Sequence, residues 1–396
     1  MTRRAAAAAT ALLALTLAAP ALAAPALPAG VADPARVSVS GISSGGYMAV
    51  QMHFAHAEIF RLGVGVVAGG PLNCAEGSVL NALGRCMKHL GDIPVSELVA
   101  DARRKAASQA LAPLADLAAG KAYLFSGTRD ETVAPAVMAD LKRFYRAFLP
   151  EASVVTKNDI AAGHTFVTED FGPACDKPSE HFLNDCDFDL AGAILGALAG
   201  DAQGRLPKPR AAGAPATTEF DQGEFVTGHA ILPTGRVFVP DGCAAQDRCG
   251  LHVAFHGCKQ NSVTIGQDFT DRAGYNRWAE SNRIVVLYPQ AAKTASNPNG
   301  CWDWWGHDDP RYATRQGPQV RAVMAMVQRL LGGPAAAPVA ACSTAVNGVH
   351  WWAGRATLAA FGSLQAKGSG QALGWWWQTT SLREWPAGRF TTGSCE

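Results

Sequence analysis

Short runs of apolar or β-branched residues, each followed by a polar loop, recur through the first half of the chain. They occupy residues 62–68, 122–126 and 153–157. Their length is typical of buried parallel strands. Between residues 37 and 201 the pattern alternates such strands with helices, and one helix is predicted from Tyr47 to about Ala57. This alternation predicts a doubly wound α/β fold.

The pattern resumes in the second half, after a connector rich in Pro, Ala and Gly at residues 204–215. Strands are predicted at 251–258 and 283–288. A helix is predicted at 319–331, because apolar residues recur there at helical spacing. Two such halves fit one large α/β domain.

A glycine-flanked serine follows the first predicted strand. Gly41, Ser43 and Gly45 form a G-x-S-x-G pentad between that strand and the helix after it. Glycines allow the sharp strand-to-helix turn that exposes a nucleophilic serine, the feature known as a nucleophile elbow. The pattern predicts Ser43 as the nucleophile, although an ordinary Gly/Ser turn would have the same spacing.

Two further polar residues follow later strands of the same half. Asp130 comes after the run at 122–126, and His164 comes after the run at 153–157. Taken alone, Asp130 could cap the helix that begins near Val133, and His164 could be an ordinary loop histidine. The order Ser43, Asp130, His164 is the order of an α/β-hydrolase triad, so we predict them as nucleophile, acid and base.

The second half contains a strand ending in His256-Gly257-Cys258. In α/β hydrolases such a strand precedes the nucleophile, because its loop donates an N–H to the oxyanion hole. Here it follows the predicted catalytic histidine. We therefore predict a circularly permuted α/β-hydrolase fold, joined near 204–215, with the backbone N–H groups of Ser44 and Cys258 as oxyanion donors. The alternative is two separate domains, each with a partial sheet.

The first 23 residues resemble a secretory signal peptide: two arginines, an Ala/Leu run and a small-residue cleavage pattern. The mature chain is predicted to begin near Ala24 and to be secreted, to the periplasm or the medium. With 34 basic and 33 acidic residues, the chain has no positive electrostatic field that would attract nucleic acid. No later run is long and apolar enough to span a membrane.

The ten cysteines of an exported chain favour disulfides over metal ligands. No metal and no cofactor are predicted. If cysteines that are close in sequence pair first, the predicted bonds are Cys74–Cys86, Cys175–Cys186 and Cys243–Cys249. The remaining cysteines are then predicted to form Cys258–Cys301 and, in the C-terminal part, Cys342–Cys395. The bond at Cys301 would bring the following tryptophans to the rim of the site, where Trp302 and Trp304 are predicted to face substrate. The alternative for these two is core packing.

Residues 332–341 form a small-residue linker after the catalytic domain, which is predicted to span residues 24–331. Residues 342–396 are predicted to form a small disulfide-closed domain. It contains six of the ten tryptophans. Exposed, they would bind a polymer surface; buried, they would fill a small core.

Four motifs together resemble one family. They are the segments 41–52, 161–164, 255–260 and 299–303. They resemble the secreted poly(3-hydroxybutyrate) depolymerases whose lipase box lies near the N-terminus as a circular permutant. The resemblance covers roughly residues 35–331 and implies an esterase that cuts a short-chain polyester into hydroxyacid oligomers and monomer, with Ser43, Asp130 and His164 as its triad.

Three other functions compete with this one. An acetyl or feruloyl esterase acting on plant-wall esters would share the triad chemistry, since fold does not settle substrate. A non-catalytic protein would bind a polymer through the Trp-rich tail. A thiol enzyme is disfavoured because the even set of cysteines suits disulfides.

Overall fold

A computed structural model describes residues 24–209, 216–334, 339–359, 362–386 and 388–395. The predicted signal peptide and residues 210–215 of the predicted connector lie outside the described residues, as do residues 335–338 of the predicted linker.

The described residues form sixteen strands and ten α-helices. The strands are β1 (Ala32–Ile42), β2 (Gly63–Val67), β3 (Lys121–Phe125), β4 (Val154–Lys157), β5 (Phe166–Thr168), β6 (Leu183–Asp185), β7 (Thr218–Asp221), β8 (Thr234–Phe238), β9 (Cys249–Phe255), β10 (Ile284–Tyr288), β11 (Ala341–Val346), β12 (Ala356–Leu358), β13 (Leu364–Ala366), β14 (Ala372–Gly374), β15 (Thr379–Glu384) and β16 (Phe390–Thr392). The helices are α1 (Ser44–Ala55), α2 (Val79–Leu83), α3 (Val95–Ala107), α4 (Pro135–Tyr145), α5 (Leu190–Ala199), α6 (Ser262–Ile265), α7 (Asp268–Arg272), α8 (Tyr275–Asn282), α9 (Pro318–Leu331) and α10 (Asn347–Trp352).

Eight strands form the main sheet, in the order β4-β3-β2-β1-β9-β10-β8-β7. Strand β1 lies at its centre and pairs in parallel with β2 on one side and with β9 on the other. Strands from both halves of the chain therefore share one sheet, and the two-domain alternative is wrong. Read from β7 to β10 and then from β1 to β4, the strands follow one another across the sheet from edge to edge, except that β9 and β10 exchange places. This order confirms the permuted α/β-hydrolase fold.

The sheet is covered on both faces, as the apolar runs predict. Val37 and Val39 point into one core with helices α1, α3, α4 and α9. Ile42 belongs to the other core, which includes residues of α5, α7 and α8. Because side chains alternate along a strand, Ser38 and Ser40 also point to this second side. Helix α9 begins with Pro318 and ends at Leu331, and the following Gly332 has a φ of 74°, the left-handed conformation that suits glycine.

The C-terminal residues form two small three-stranded sheets, β11-β15-β16 and β12-β13-β14. Their core consists of six residues: Ala356, Leu364, Ala366, Leu373, Leu382 and Phe390. All six tryptophans of this region lie outside that core. At the end of the predicted linker, the buried Val339 forms a bridge with Val226 of the catalytic domain.

All five predicted disulfides are confirmed. Within the described residues, no helix combines the length and the apolar composition that crossing a membrane would require.

Candidate active site

Ser43 occupies a strained turn between β1 and α1. Its φ is 57° and its ψ is −122°, an unusual conformation for a residue with a side chain. The turn is held by two backbone hydrogen bonds: the Ser43 N–H donates to Val67 O at 2.9 Å, and the Tyr47 N–H donates to Ser43 O at 3.0 Å. Strain maintained in this way is typical of a functional position.

The two glycines of the pentad are required by close backbone contacts. A Cβ on Gly41 would lie 2.2 Å from Gly45 O, and a Cβ on Gly45 would lie 2.4 Å from His256 O. Neither contact is possible for a side chain, so the glycines let α1 start directly against the end of β9. Both glycines of the G-x-S-x-G pentad are thus required for steric reasons.

Asp130 and His164 follow β3 and β4 and meet at the same edge of the sheet. His164 Nδ1 lies 2.8 Å from Asp130 Oδ2. The other carboxylate oxygen, Oδ1, accepts the N–H groups of Thr132 at 2.8 Å and Val133 at 2.9 Å. The two interpretations of Asp130 are therefore compatible: one oxygen stabilises a turn, and the other bonds the imidazole.

Ser43 and His164 both line a cavity of about 480 Å³. Gly257 and Cys258 of the loop after β9 line the same cavity, and so do Trp304 and Trp305. Three of the five predicted triad and oxyanion residues, Ser43, His164 and Cys258, thus line this space. Asp130 lies behind His164 and is buried.

The backbone amide of Ser44 directly follows the predicted nucleophile, and Cys258 lines the same cavity as that serine. Among the described residues, neither amide donates a hydrogen bond to another group. Ser44 is also the first residue of α1, where the helix dipole favours negative charge. Two unpaired N–H groups at this position can donate hydrogen bonds to a developing oxyanion.

Of the two predicted substrate-facing tryptophans, only Trp304 lines the cavity. Trp302 is 0% exposed and packs against Phe255, with ring centroids 4.9 Å apart. Trp302 therefore packs in the core and does not face substrate. Trp304 stacks on Tyr47 at 4.1 Å and contacts Trp305 at 5.5 Å.

Sequence reasoning missed an apolar wall of the cavity. Val79, Leu83 and Met87 line it. Val79 and Leu83 lie within the loop that Cys74–Cys86 closes, and Met87 follows that loop directly. Val79 and Leu83 are 48% and 56% exposed. Their only signal in the sequence was the predicted disulfide, which does not tell which way the side chains inside the loop face.

A second group of serines and a histidine lies below the cavity. His252 on β9 bonds Ser38 Oγ at 2.8 Å and Ser40 Oγ at 2.7 Å, and Ser40 Oγ also bonds Tyr275 OH at 2.6 Å. All four are buried and none of them lines the cavity. Burial lowers the pKa of His252 to about 3, so this histidine is neutral near pH 7. The group joins β1 to β9 and has no access to substrate.

The fold and this site define the class of protein, an α/β hydrolase with a serine-esterase arrangement. Residues 235–364 match a protein-family model described as "Esterase PHB depolymerase". A poly(3-hydroxybutyrate) depolymerase from Delftia acidovorans is 46% identical over 330 residues, which is 83% of this chain and 66% of that protein. A polyhydroxybutyrate depolymerase from Talaromyces funiculosus is 35% identical over 77% of this chain and 92% of that protein.

Solved structures agree with these sequence matches. A PHB depolymerase from Penicillium funiculosum has a TM-score of 0.71 and 34% identity, covering 78% of this chain and 99% of that one. A PHB depolymerase complexed with an R3HB trimer has the same TM-score and 33% identity over the same shares. The chain belongs to the PHB depolymerase family of esterases.

Proposed function

We propose that this chain is a secreted serine esterase that hydrolyses poly(3-hydroxybutyrate)-type short-chain polyesters to hydroxyacid oligomers and monomer. The observation that carries the proposal is the 2.8 Å bond between Asp130 and His164, in a chain of this family where His164 and Ser43 line the same cavity. The predicted signal peptide and the five disulfides support export, because disulfides persist in oxidising compartments.

In the first half of the reaction, the Ser43 hydroxyl attacks the ester carbonyl carbon while His164 Nε2 takes its proton. Asp130 keeps the other imidazole proton on Nδ1 and stabilises the cation that forms. When the tetrahedral intermediate collapses, the C–O bond of the ester breaks and His164 returns the proton to the leaving alcohol. Ser43 then holds the acyl group.

In the second half, water attacks the acyl-enzyme, and His164 again takes and returns one proton. The acid is released and Ser43 regains its hydroxyl. The N–H groups of Ser44 and Cys258 stabilise the negative oxygen in both tetrahedral intermediates. No redox step and no further reactant besides water are required.

The cavity suits a short aliphatic acyl group. Its walls combine Trp304 and Trp305 with the apolar side chains of Val79, Leu83 and Met87. Acetyl or feruloyl ester hydrolysis would use the same triad. The relatives that match most of this chain carry names of polyester depolymerases, which supports the polyester as substrate.

The purified mature protein is expected to release 3-hydroxybutyrate and its oligomers from an amorphous poly(3-hydroxybutyrate) suspension. Chromatography of the soluble products measures this release. The matched control is the same protein inactivated by a fluorophosphonate, which reacts with activated serines. Cleavage of a soluble butyrate ester without release from the polymer would contradict the polyester proposal and keep the esterase.

We further propose that the C-terminal domain adsorbs to the polymer. Its aromatic face is formed by Trp351, Trp352, Trp375, Trp376 and Trp377. Trp352 and Trp377 are 84% and 72% exposed. Trp351 packs edge-to-face on Trp376 at 5.0 Å, and Trp375 stacks on Trp377 at 5.7 Å. Two exposed aromatic pairs of this kind favour binding to a solid surface over core packing.

Combining Trp352→Ala with Trp377→Ala is expected to weaken adsorption to polymer granules about tenfold or more, because each side chain contributes large apolar contact area. A sedimentation binding isotherm measures the change. The kcat/KM toward p-nitrophenyl butyrate should stay at the wild-type value. Leu358→Ala, another exposed apolar position of this domain, is the control, and equal loss of adsorption in that variant would contradict a role for the aromatic face.

A further inference from the structure

Gly257 is held by two buried side chains, one at its carbonyl oxygen and one at its N–H. The Gly257 carbonyl oxygen lies 2.7 Å from His256 Nδ1, and the Gly257 N–H donates to Gln260 Oε1 at 2.8 Å. The backbone N–H of Gln260 also donates to the Gly257 oxygen, at the longer distance of 3.3 Å. His256 and Gln260 are both fully or almost fully buried.

The bonds of His256 define where its single proton lies. Its Nε2 receives the N–H of Ala291 at 3.0 Å. A backbone N–H can only donate, so Nε2 carries a lone pair and the proton lies on Nδ1. That proton is then donated to the Gly257 oxygen. Burial lowers the pKa of His256 to about 4, so the neutral ring persists through the neutral pH range.

The geometry of the peptide bond connects this hydrogen bond to the proposed oxyanion hole. In a trans peptide, the C=O of one residue and the N–H of the next point in opposite directions. Fixing the Gly257 oxygen on His256 therefore directs the Cys258 N–H away from His256. Gly257 lies against the nucleophile, since a Cβ at this position would be 3.3 Å from Ser43 Cβ.

We propose that His256 is a positioning residue that orients the Gly257–Cys258 peptide and so directs the Cys258 N–H at the oxyanion formed on Ser43. This proposal rests on the proposed function, because it assigns Cys258 as an oxyanion donor. His256 does not touch substrate: it is absent from the residues that line the cavity. Its contribution is limited to the transition state, where the oxyanion exists.

Two substitutions separate the two hydrogen bonds of the ring. In His256→Asn, the amide nitrogen can take the place of Nδ1 and still donate to Gly257 O. In His256→Gln, the longer side chain reaches the place of Nε2, so it keeps a partner for the Ala291 N–H and loses the donor to Gly257 O. The control is His53→Gln, which changes another buried neutral histidine, bonded to Tyr145 OH at 3.2 Å.

The variants are compared by kcat and KM toward p-nitrophenyl butyrate and by the inhibition constant of an alkyl boronic acid, which forms a tetrahedral adduct with serine. His256→Gln is expected to lower kcat by about 10²- to 10³-fold, the loss typical of one oxyanion donor. Its KM should change less than about threefold, and boronate affinity should fall with kcat. His256→Asn should recover kcat to within about tenfold of wild type, and His53→Gln should affect thermal stability alone.

Three results overturn the proposal: wild-type kcat in His256→Gln, equal losses in both His256 variants, or a loss confined to KM. Failure of the wild-type protein to cleave the soluble ester is different, since it removes the proposed function itself. If neither His256 variant folds, NMR of the wild-type protein decides. A proton on Nδ1 of His256 and a shift of the Cys258 amide on boronate binding support the proposal, whereas a proton on Nε2 or an unmoved amide refutes it.

Discussion

Replacing Ser43 with alanine is expected to lower kcat toward p-nitrophenyl butyrate by about 10⁶-fold, the loss seen when a serine hydrolase has no nucleophile. Without the hydroxyl, no acyl-enzyme forms, and the remaining donors can only assist direct attack by water. The alanine methyl group fits the same turn, because Ser43 already holds its conformation through backbone bonds to Val67 and Tyr47. Circular dichroism should therefore match the wild-type protein.

The control for this substitution is Ser40→Ala. Ser40 is a buried serine on the same strand, bonded to His252 at 2.7 Å and to Tyr275 at 2.6 Å. Its loss leaves buried polar partners unsatisfied and is expected to cost about 1–3 kcal/mol of stability. The folded variant should keep its kcat. An inactive, fully folded Ser40→Ala together with an active Ser43→Ala would reverse the assignment of the nucleophile.

Asp130→Asn is expected to lower kcat by about 10⁴-fold while leaving the fold intact. The asparagine oxygen can still accept the N–H groups of Thr132 and Val133, so the turn after β3 is kept. The amide nitrogen then faces His164 Nδ1 and donates to it. His164 must place its own proton on Nε2, where it can no longer take the proton of Ser43.

The matched control for this change is Asp140→Asn, because Asp140 is another buried carboxylate paired with a histidine. Its Oδ2 lies 3.0 Å from His89 Nε2, on helix α4 and outside the cavity. This variant should lose stability without losing kcat. Stopped-flow measurement of acylation and thermal unfolding of both variants test the difference, and a loss of less than about tenfold in Asp130→Asn would show that His164 does not depend on this carboxylate.

Much of the catalytic arrangement follows from the sequence because the chemistry lies at the ends of strands. The strand predictions at 62–68 and 122–126 match β2 and β3 within a residue or two at each end. In a parallel sheet, the loops after such strands meet at one edge. Asp130 and His164 therefore meet although their positions differ by 34, and the fold-level prediction needed only the order of the segments.

The residues around the substrate could not be predicted in the same way. Trp302 and Trp304 lie in a loop without regular secondary structure, where no periodicity tells which side chain faces inward. The structure buries Trp302 against Phe255 and His256 and directs Trp304 to the cavity. The wall formed by Val79 and Leu83 was also missed. Helix α2 has only five residues, too few for a periodic pattern to tell its exposed apolar side chains from buried ones.

The central position of β1 also has a consequence for biosynthesis. The ribosome makes this strand early, but its neighbour β9 comes much later: the contacting residues Ser40 and His252 are 212 positions apart. Until then, one edge of the longest strand has no partner, and unpaired edges promote aggregation. A nascent chain thus carries Ser43 without the loop that follows β9. The cavity that Ser43 and Cys258 line together can form only after translation has passed β9.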